Sequence, residues 1–221
     1  HMNAMNIEYR SVELTNVGVL HIKVPQMVMA AIKTEVDQIQ TDFSSAVAVN
    51  HNLAGNMERE YKIVQSRYQL DPFIMAATDM FQQRHPVRVQ DNHGDGQANT
   101  SGGAQLRLDN VWCNFQKATE FNPNHSHTGL LSFVIWVQVP YLIDEEQSAS
   151  PGRLSNKNNA GCFELIYNTT IGDLATTVFP ADRTWEGQML IFPARMTHCV
   201  YPFYTSQDYR ISISGNVVAN R

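Results

Sequence analysis

The sequence predicts a mainly β domain with flanking helices, a β-sandwich or jelly roll that carries its helices outside one sheet. Three observations lead there. Helical periodicity is confined to the residues before Arg84, whereas a run of strand candidates fills the second half. Those later segments are rich in β-branched and aromatic residues, which suit a pleated surface better than a helix. Hydrophobic residues make up 43% of the chain and charged residues 17%, enough apolar material for a sizeable core. No Pro/Gly/Ser-rich linker divides it, so residues 3–221 read as a single domain with an N-terminal helical elaboration. His1-Met2 reads as a tag remnant.

Taken in order, Val17 to Val24 alternates well enough for a strand. Pro25 then opens a helix in which Met27, Ala30, Ile32, Val36 and Ile39 fall near helical spacing. His51 to Gly55 reads as a turn. A second helix is expected over Asp71 to Gln83, with Asp71 as N-cap and Pro72 at the first helical position. The Gly/Asn/Asp-rich stretch Asp91 to Gly103 reads as loop. Strands follow at Val111–Lys117, Leu131–Tyr141, Cys162–Asn168, Met189–Phe192, Thr197–Tyr201 and Tyr209–Val217. Between the second and third lies Asp144 to Gly161, long, polar and aperiodic, which reads either as a lid or as a solvated insertion.

Charge narrows the function. Sixteen Lys and Arg against 21 Asp and Glu give a net charge of −5, and the pI is about 5.9. That balance argues against a dedicated nucleic-acid binder, whose phosphate contacts need a basic face. No apolar run approaches the roughly 18 residues of a membrane span. Asn3 to Asn16 lacks the basic-then-apolar order of a secretory signal. Cys113, Cys162 and Cys199 are odd in number and form no CxxC, so they read as buried thiols in a reducing compartment, and the expected address is the cytoplasm.

Histidine spacing carries the chemistry. His21, His51, His85 and His93 sit in unrelated contexts, but His125 and His127 occur together in NPNHSHTG, just before an apolar strand. In extended chain, residues i and i+2 point to one side, so two imidazoles face the same way and form half a metal site. Imidazole suits Zn, Cu, Ni and non-haem Fe, so the pair alone does not choose the ion. The best third ligand is His198 in MLIFPARMTHCVYPF, at the start of another strand. In DYRISISGN, the residues Arg210, Ser212, Ser214 and Asn216 share one strand face. A guanidinium on the inner face of a sandwich needs an anionic partner, because an unpaired buried charge costs several kcal/mol. That partner is either an Asp or Glu of the chain or the carboxylate of a small molecule near the metal. Trp112, Asn114 and Gln116 share a face on the strand before the histidine pair, and Ser132, Val134 and Trp136 on the strand after it. Such polar and aromatic mixtures on an inner face are expected where a site is lined.

Together, His125-Ser-His127, His198 and Arg210-Ile-Ser212 resemble the signature of the Fe(II)/2-oxoglutarate-dependent oxygenases: HxD/E, a distal His, then Arg-x-Ser about ten residues on. More closely, NFQKATEFNPNHSHTGLLSFVIWVQVPY, FPARMTHCVYPFYTSQDYRISISGN and HNLAGNMEREY resemble the 2-oxoglutarate oxygenases of marine tailed phages and related bacteria. The resemblance spans most of Asn50 to Asn216. It implies a double-stranded β-helix, with Fe(II) held by His125 and His198. It also implies 2-oxoglutarate bound through Arg210 and Ser212, with Asn114 and Trp136 bordering it. O2 is the second co-substrate, and oxidative decarboxylation to succinate and CO2 is coupled to oxidation of a prime substrate, expected to be a protein or peptide side chain. A phage-encoded enzyme of this kind would work in the host cytoplasm.

One position departs from most of that superfamily. The second ligand is usually a carboxylate, and here it is His127. A third neutral ligand leaves iron plus protein at +2 rather than +1, which favours an anionic co-substrate; His127 is expected to ligate. Two other readings remain at this point. A cupin-type metal dioxygenase or isomerase also uses HxH, but it expects a Glu shortly afterwards, and Gly129 to Phe133 holds none. A non-enzymatic jelly-roll binding module leaves the histidines and Arg210 unexplained.

Overall fold

Strand-forming segments of the second half pair into two antiparallel sheets, and the helices of the first third cover one of them. The computed structural model describes residues 8–219 apart from 9, 13, 15, 88, 91–96 and 99–104. The strands are β1 (Leu20–Lys23), β2 (Glu60–Lys62), β3 (Val89–Gln90), β4 (Gln97–Ala98), β5 (Leu106–Gln116), β6 (Asn122–His125), β7 (Leu131–Gln138), β8 (Phe163–Asn168), β9 (Leu174–Phe179), β10 (Gln188–Pro193), β11 (Thr197–Val200) and β12 (Arg210–Ala219). Helices α1 (Gln26–Thr41), α2 (Arg67–Arg84) and α3 (Ile143–Ala149) complete the set. The major sheet has the order β1-β10-β7-β12-β5-β2, the minor sheet β6-β11-β8-β9, and β3 pairs with β4. This is the mainly β, jelly-roll architecture with flanking helices that the sequence predicts.

The major sheet is buried on both faces, which explains why β7 is apolar almost throughout rather than alternating. One face, through Cys113, Phe115, Ile135, Ile191, Ile211 and Ile213, packs on Ile32 and Val36 of α1 and on Leu70, Ile74 and Phe81 of α2. Truncating any of the larger of these to Ala costs about 2–5 kcal/mol through lost burial and the cavity left behind. The opposite face, through Val134, Trp136, Leu190 and Phe192, meets Phe163 and Leu165 of the minor sheet. The space between the sheets is therefore apolar at one end, and the polar face residues anticipated on β5, β7 and β12 occupy the rest.

Helix α2 corrects the expected start. It begins at Arg67, four residues before Asp71, with Ser66 in the cap position, so Pro72 lies inside the helix. The turn that leads into the helix is held from a distance. The Glu35 carboxylate of α1 accepts hydrogen bonds from the Val64, Gln65 and Ser66 amides and from the Ser66 hydroxyl at 2.7–2.9 Å. Burial works to raise the Glu35 pKa, but these hydrogen bonds outweigh it and hold the carboxyl below its ordinary value. Asp71 instead forms an i,i+4 ion pair with Arg67 at 2.9 Å.

The segment Asp144–Gly161 is neither wholly loop nor free of the body. Its first third lies within α3, whose Ile143 amide is capped by Asp182 at 3.0 Å. Buried Glu146 accepts from the Tyr204 and Thr205 amides and the Thr205 hydroxyl, which pins the segment to the chain between β11 and β12. Strands β2, β3, β4, β6 and β9 were not anticipated, and β5 starts five residues before the expected Val111. His93, the tag remnant and the expected loop Asp91–Gly103 fall outside the described residues, except for β4.

Candidate active site

His125 closes β6 and His198 lies on β11, and the two are direct cross-strand partners in the antiparallel register. Opposite residues project from the same face, so the ring centroids come to 4.1 Å. His127 follows two residues after His125, its backbone N–H donating to Ala194 O at 2.8 Å. Its ring packs on Trp112 at 5.7 Å between centroids. It stands 5.0 Å from the His125 ring and 5.1 Å from that of His198. One potential ligand atom from each of the three lies within 4.8 Å of the other two.

Two of the rings are oriented for ligation. The Nδ1 of His125 lies 2.7 Å from Pro123 O, and that of His198 3.0 Å from Met196 O. Backbone carbonyls only accept, so each Nδ1 carries the proton and each Nε2 is left as the basic nitrogen. Burial, reinforced by the neighbouring imidazoles, pushes His127 down to about 4 and His198 to about 3. His125 is lowered as well, chiefly by burial. All three rings are therefore neutral at pH 7, the state a metal requires. A trio of neutral, converging imidazole nitrogens fits a borderline divalent ion such as Fe(II).

The same cavity is walled by Arg210, Ser212, Asn114 and Trp136, so every site residue expected from the sequence borders one space. It includes about 630 Å³ not filled by atoms, part of it open to solvent. Arg210 is 3% exposed. Its Nε and Nη2 donate to Gln116 Oε1 at 3.1 and 2.6 Å, and Nη2 also donates to Tyr201 O at 2.9 Å. Its Nη1 donates to Tyr141 Oη at 2.5 Å and to Gly161 O at 3.0 Å. All these acceptors are neutral, and among the described residues no carboxylate lies within ion-pair distance of Arg210. Of the two partners the sequence allowed, the internal Asp or Glu is thus not there. Asn114 donates to the hydroxyls of Ser212 and Ser214 at 3.1 and 3.3 Å, while its buried Oδ1 has no partner among the described residues.

Tyr141, Gln116 and Gly161 hold Arg210, and the sequence reading assigned none of them to it. Gln116 carried a signal, since it alternates with Asn114 on an inner strand face. Tyr141 and Gly161 carried none, because their role depends on contacts across 69 and 49 residues of chain. Gly161 has φ +76°, and a Cβ there would come within 2.8 Å of the Tyr141 ring. Only glycine fits both the backbone and the contact.

Residues 110–216 match the family described as Putative 2OG-Fe(II) oxygenase. A prolyl-4-hydroxylase from Pseudomonas putida is similar in structure at a TM-score of 0.53 and 11% identity, over 93% of this chain and 94% of that one. An oxidoreductase of the 2OG-Fe(II) oxygenase family from Burkholderia pseudomallei aligns at a TM-score of 0.49 and 14% identity, over 91% of this chain and 84% of its own. No curated protein sequence matches the chain. Residues 110–216, which hold every site residue named above, are thus similar to the 2OG-Fe(II) oxygenases, enzymes that use Fe(II) and 2-oxoglutarate.

Proposed function

We propose that His125, His127 and His198 hold the Fe(II), that Arg210 and Ser212 bind the far carboxylate of 2-oxoglutarate, and that the enzyme hydroxylates a protein or peptide side chain. Residues 3–221 act as one such domain. The observation that carries this reading is the pairing, within one cavity, of three convergent neutral imidazoles with a buried guanidinium that has only neutral partners. When bound, Fe(II) supplies the redox centre at which O2 oxidises 2-oxoglutarate and the prime substrate.

The chain's own groups do the positioning. Backbone carbonyls of Pro123 and Met196 fix the tautomers of His125 and His198. Trp112 and the Ala194 carbonyl orient His127. A carboxylate that replaces a neutral acceptor on Arg210 adds an opposite charge and can accept two parallel N–H bonds from the guanidinium fork, which neutral acceptors do not offer. Trp136 closes the wall beside Ser212, its ring packed on Trp185 and Phe163, and helps keep bulk water from the reacting centre.

The acidic balance disfavours nucleic acid as substrate, and the fold is shared with a prolyl-4-hydroxylase. Among the described residues no helix is long and apolar enough to cross a membrane. The three cysteines are buried and unpaired, which is compatible with a cytoplasmic address, the host's if the gene belongs to a phage. Succinate release from 2-oxoglutarate, with and without Fe(II) and with candidate peptides, tests the reading. Iron-dependent succinate that rises with a peptide supports it. Oxygen consumption without succinate overturns it in favour of a cupin-like chemistry.

A further inference from the structure

Three buried oxygens near the cavity are hydrogen-bond acceptors with no donor among the described residues: Glu60 Oε2, Asn114 Oδ1 and Asn122 Oδ1. Asn114 and Asn122 line the cavity. Glu60 adjoins it, for β2 places Glu60 opposite Asn114, β12 places Ser212 opposite Asn114, and β7 places Trp136 opposite Ser212. Direct partners in antiparallel strands share a face. The row Glu60–Asn114–Ser212–Trp136 therefore runs along one face, and its last three members border the cavity. Gly55 marks where the two sides meet. A Cβ built there would come within 2.9 Å of both Glu60 Oε1 and Asn122 Oδ1 and 2.7 Å of Met57 Cε. Gly55, Met57 and Glu60 all belong to HNLAGNMEREY, a stretch that neither the metal nor the co-substrate uses.

The chemistry of such a cluster is one-sided. A buried acceptor left unpaired is destabilising, and among the described residues all three lack a donor. A hydroxyl or amide would bring an acceptor of its own into the cluster; an ammonium or guanidinium brings donors alone. Glu60 is 1% exposed and forms no ion pair among the described residues. Burial, and then the charge of Glu120, raise its pKa to about 7, as expected of a carboxyl without a counter-charge. Two residues along the sheet, the pair Gln116–Arg210 offers the opposite character, a cation. The cavity is thus polarised between a guanidinium suited to an anion and an acceptor cluster suited to a cation.

We propose that Glu60, Asn114 and Asn122 bind the cationic end of the prime substrate, a primary ammonium or guanidinium such as a lysine or arginine side chain carries. This rests on the oxygenase reading above and gives that reading a substrate class. The test is calorimetric titration, without oxygen, of protein loaded with Fe(II) and 2-oxoglutarate. The probes are Nα-acetyl-lysine methylamide, Nα-acetyl-arginine methylamide and the uncharged Nα-acetyl-norleucine methylamide. The lysine or the arginine derivative should bind at least tenfold more tightly than norleucine, and Glu60→Gln should abolish that preference. Asn122→Leu, expected to weaken it several-fold, serves if the first variant does not fold. Equal binding of charged and neutral probes, or a preference that survives both substitutions, overturns the proposal. The visible absorbance of Fe(II) with 2-oxoglutarate, read on the same samples, separates the two ideas. A band without cation preference counts against the acceptor cluster alone, and cation preference without a band counts against the oxygenase site alone.

Discussion

Replacing Glu60 by Gln should stabilise the ligand-free protein, and by an amount that depends on pH. The carboxyl has an ordinary pKa of 4.5 and is raised to about 7 in the fold, first by burial and then by Glu120. Between those values the unfolded chain gives up a proton that the folded chain retains, so the folded state loses stability as pH rises. The loss is absent below pH 4.5 and complete above pH 7. At 1.36 kcal/mol per unit, the difference corresponds to about 3 kcal/mol. Gln fills the same volume and does not ionise. Glu60→Gln should therefore match the parent near pH 4.5 and exceed it by up to about 3 kcal/mol near pH 8, roughly 6–12 °C in Tm for a chain of this size. Urea unfolding of both proteins from pH 4.5 to 8.5 measures this, and taking the difference cancels every other titrating group. A pH-independent difference, or a destabilised variant at pH 8, would refute the assignment of Glu60 as a buried carboxyl without a counter-charge.

Arg210→Met should weaken 2-oxoglutarate binding by about 30- to 1000-fold, the worth of a charge-assisted carboxylate pair at about 2–4 kcal/mol, and Arg210→Lys by about tenfold; the KM for 2-oxoglutarate in a succinate assay reads both. Tyr141→Phe removes an acceptor for Arg210 and the donor to Gly161 O, so it should cost about 1–3 kcal/mol in denaturant unfolding and raise that KM severalfold. Glu35→Gln turns an amide N–H₂ toward amide donors at the start of α2 and should cost about 2–4 kcal/mol at pH 7. Because the Glu35 pKa is depressed in the fold, its stabilising contribution is present above the ordinary carboxylate pKa and is lost as pH falls through the lowered value. The penalty of Glu35→Gln should accordingly shrink in acid unfolding, and a constant penalty would contradict the role of the Glu35 carboxylate in holding the turn before α2.

What was legible in the sequence was whatever one segment declares by itself. The strands β7, β10 and β12 announce themselves by composition. His125, His127, His198 and Arg210 stand out because polar groups at such places in apolar strands need a reason. What was hidden depends on partners elsewhere. Asn122-Pro-Asn-His125 has the composition of a turn and becomes strand only because His125 pairs with His198. Asp71-Pro72 looks like a helix start because Glu35, which holds the turn leading into the true start, lies 29 residues or more upstream of the amides it serves. Leu174–Phe179 alternates weakly and is half exposed at the sheet edge, so its pattern is diluted. Glu60 gives no local sign of burial, since it is placed opposite Asn114 by pairing across more than 50 residues.

Anaerobic titration of Fe(II) into the protein with 2-oxoglutarate, followed by visible absorbance and iron content, tests the central assignment most directly. The parent should bind one equivalent and develop the charge-transfer band, His198→Ala should lose both, and His127→Ala should bind iron at least tenfold more weakly. Iron binding unchanged in His127→Ala would remove that residue from the metal, and binding unchanged in His198→Ala would contradict the site as a whole.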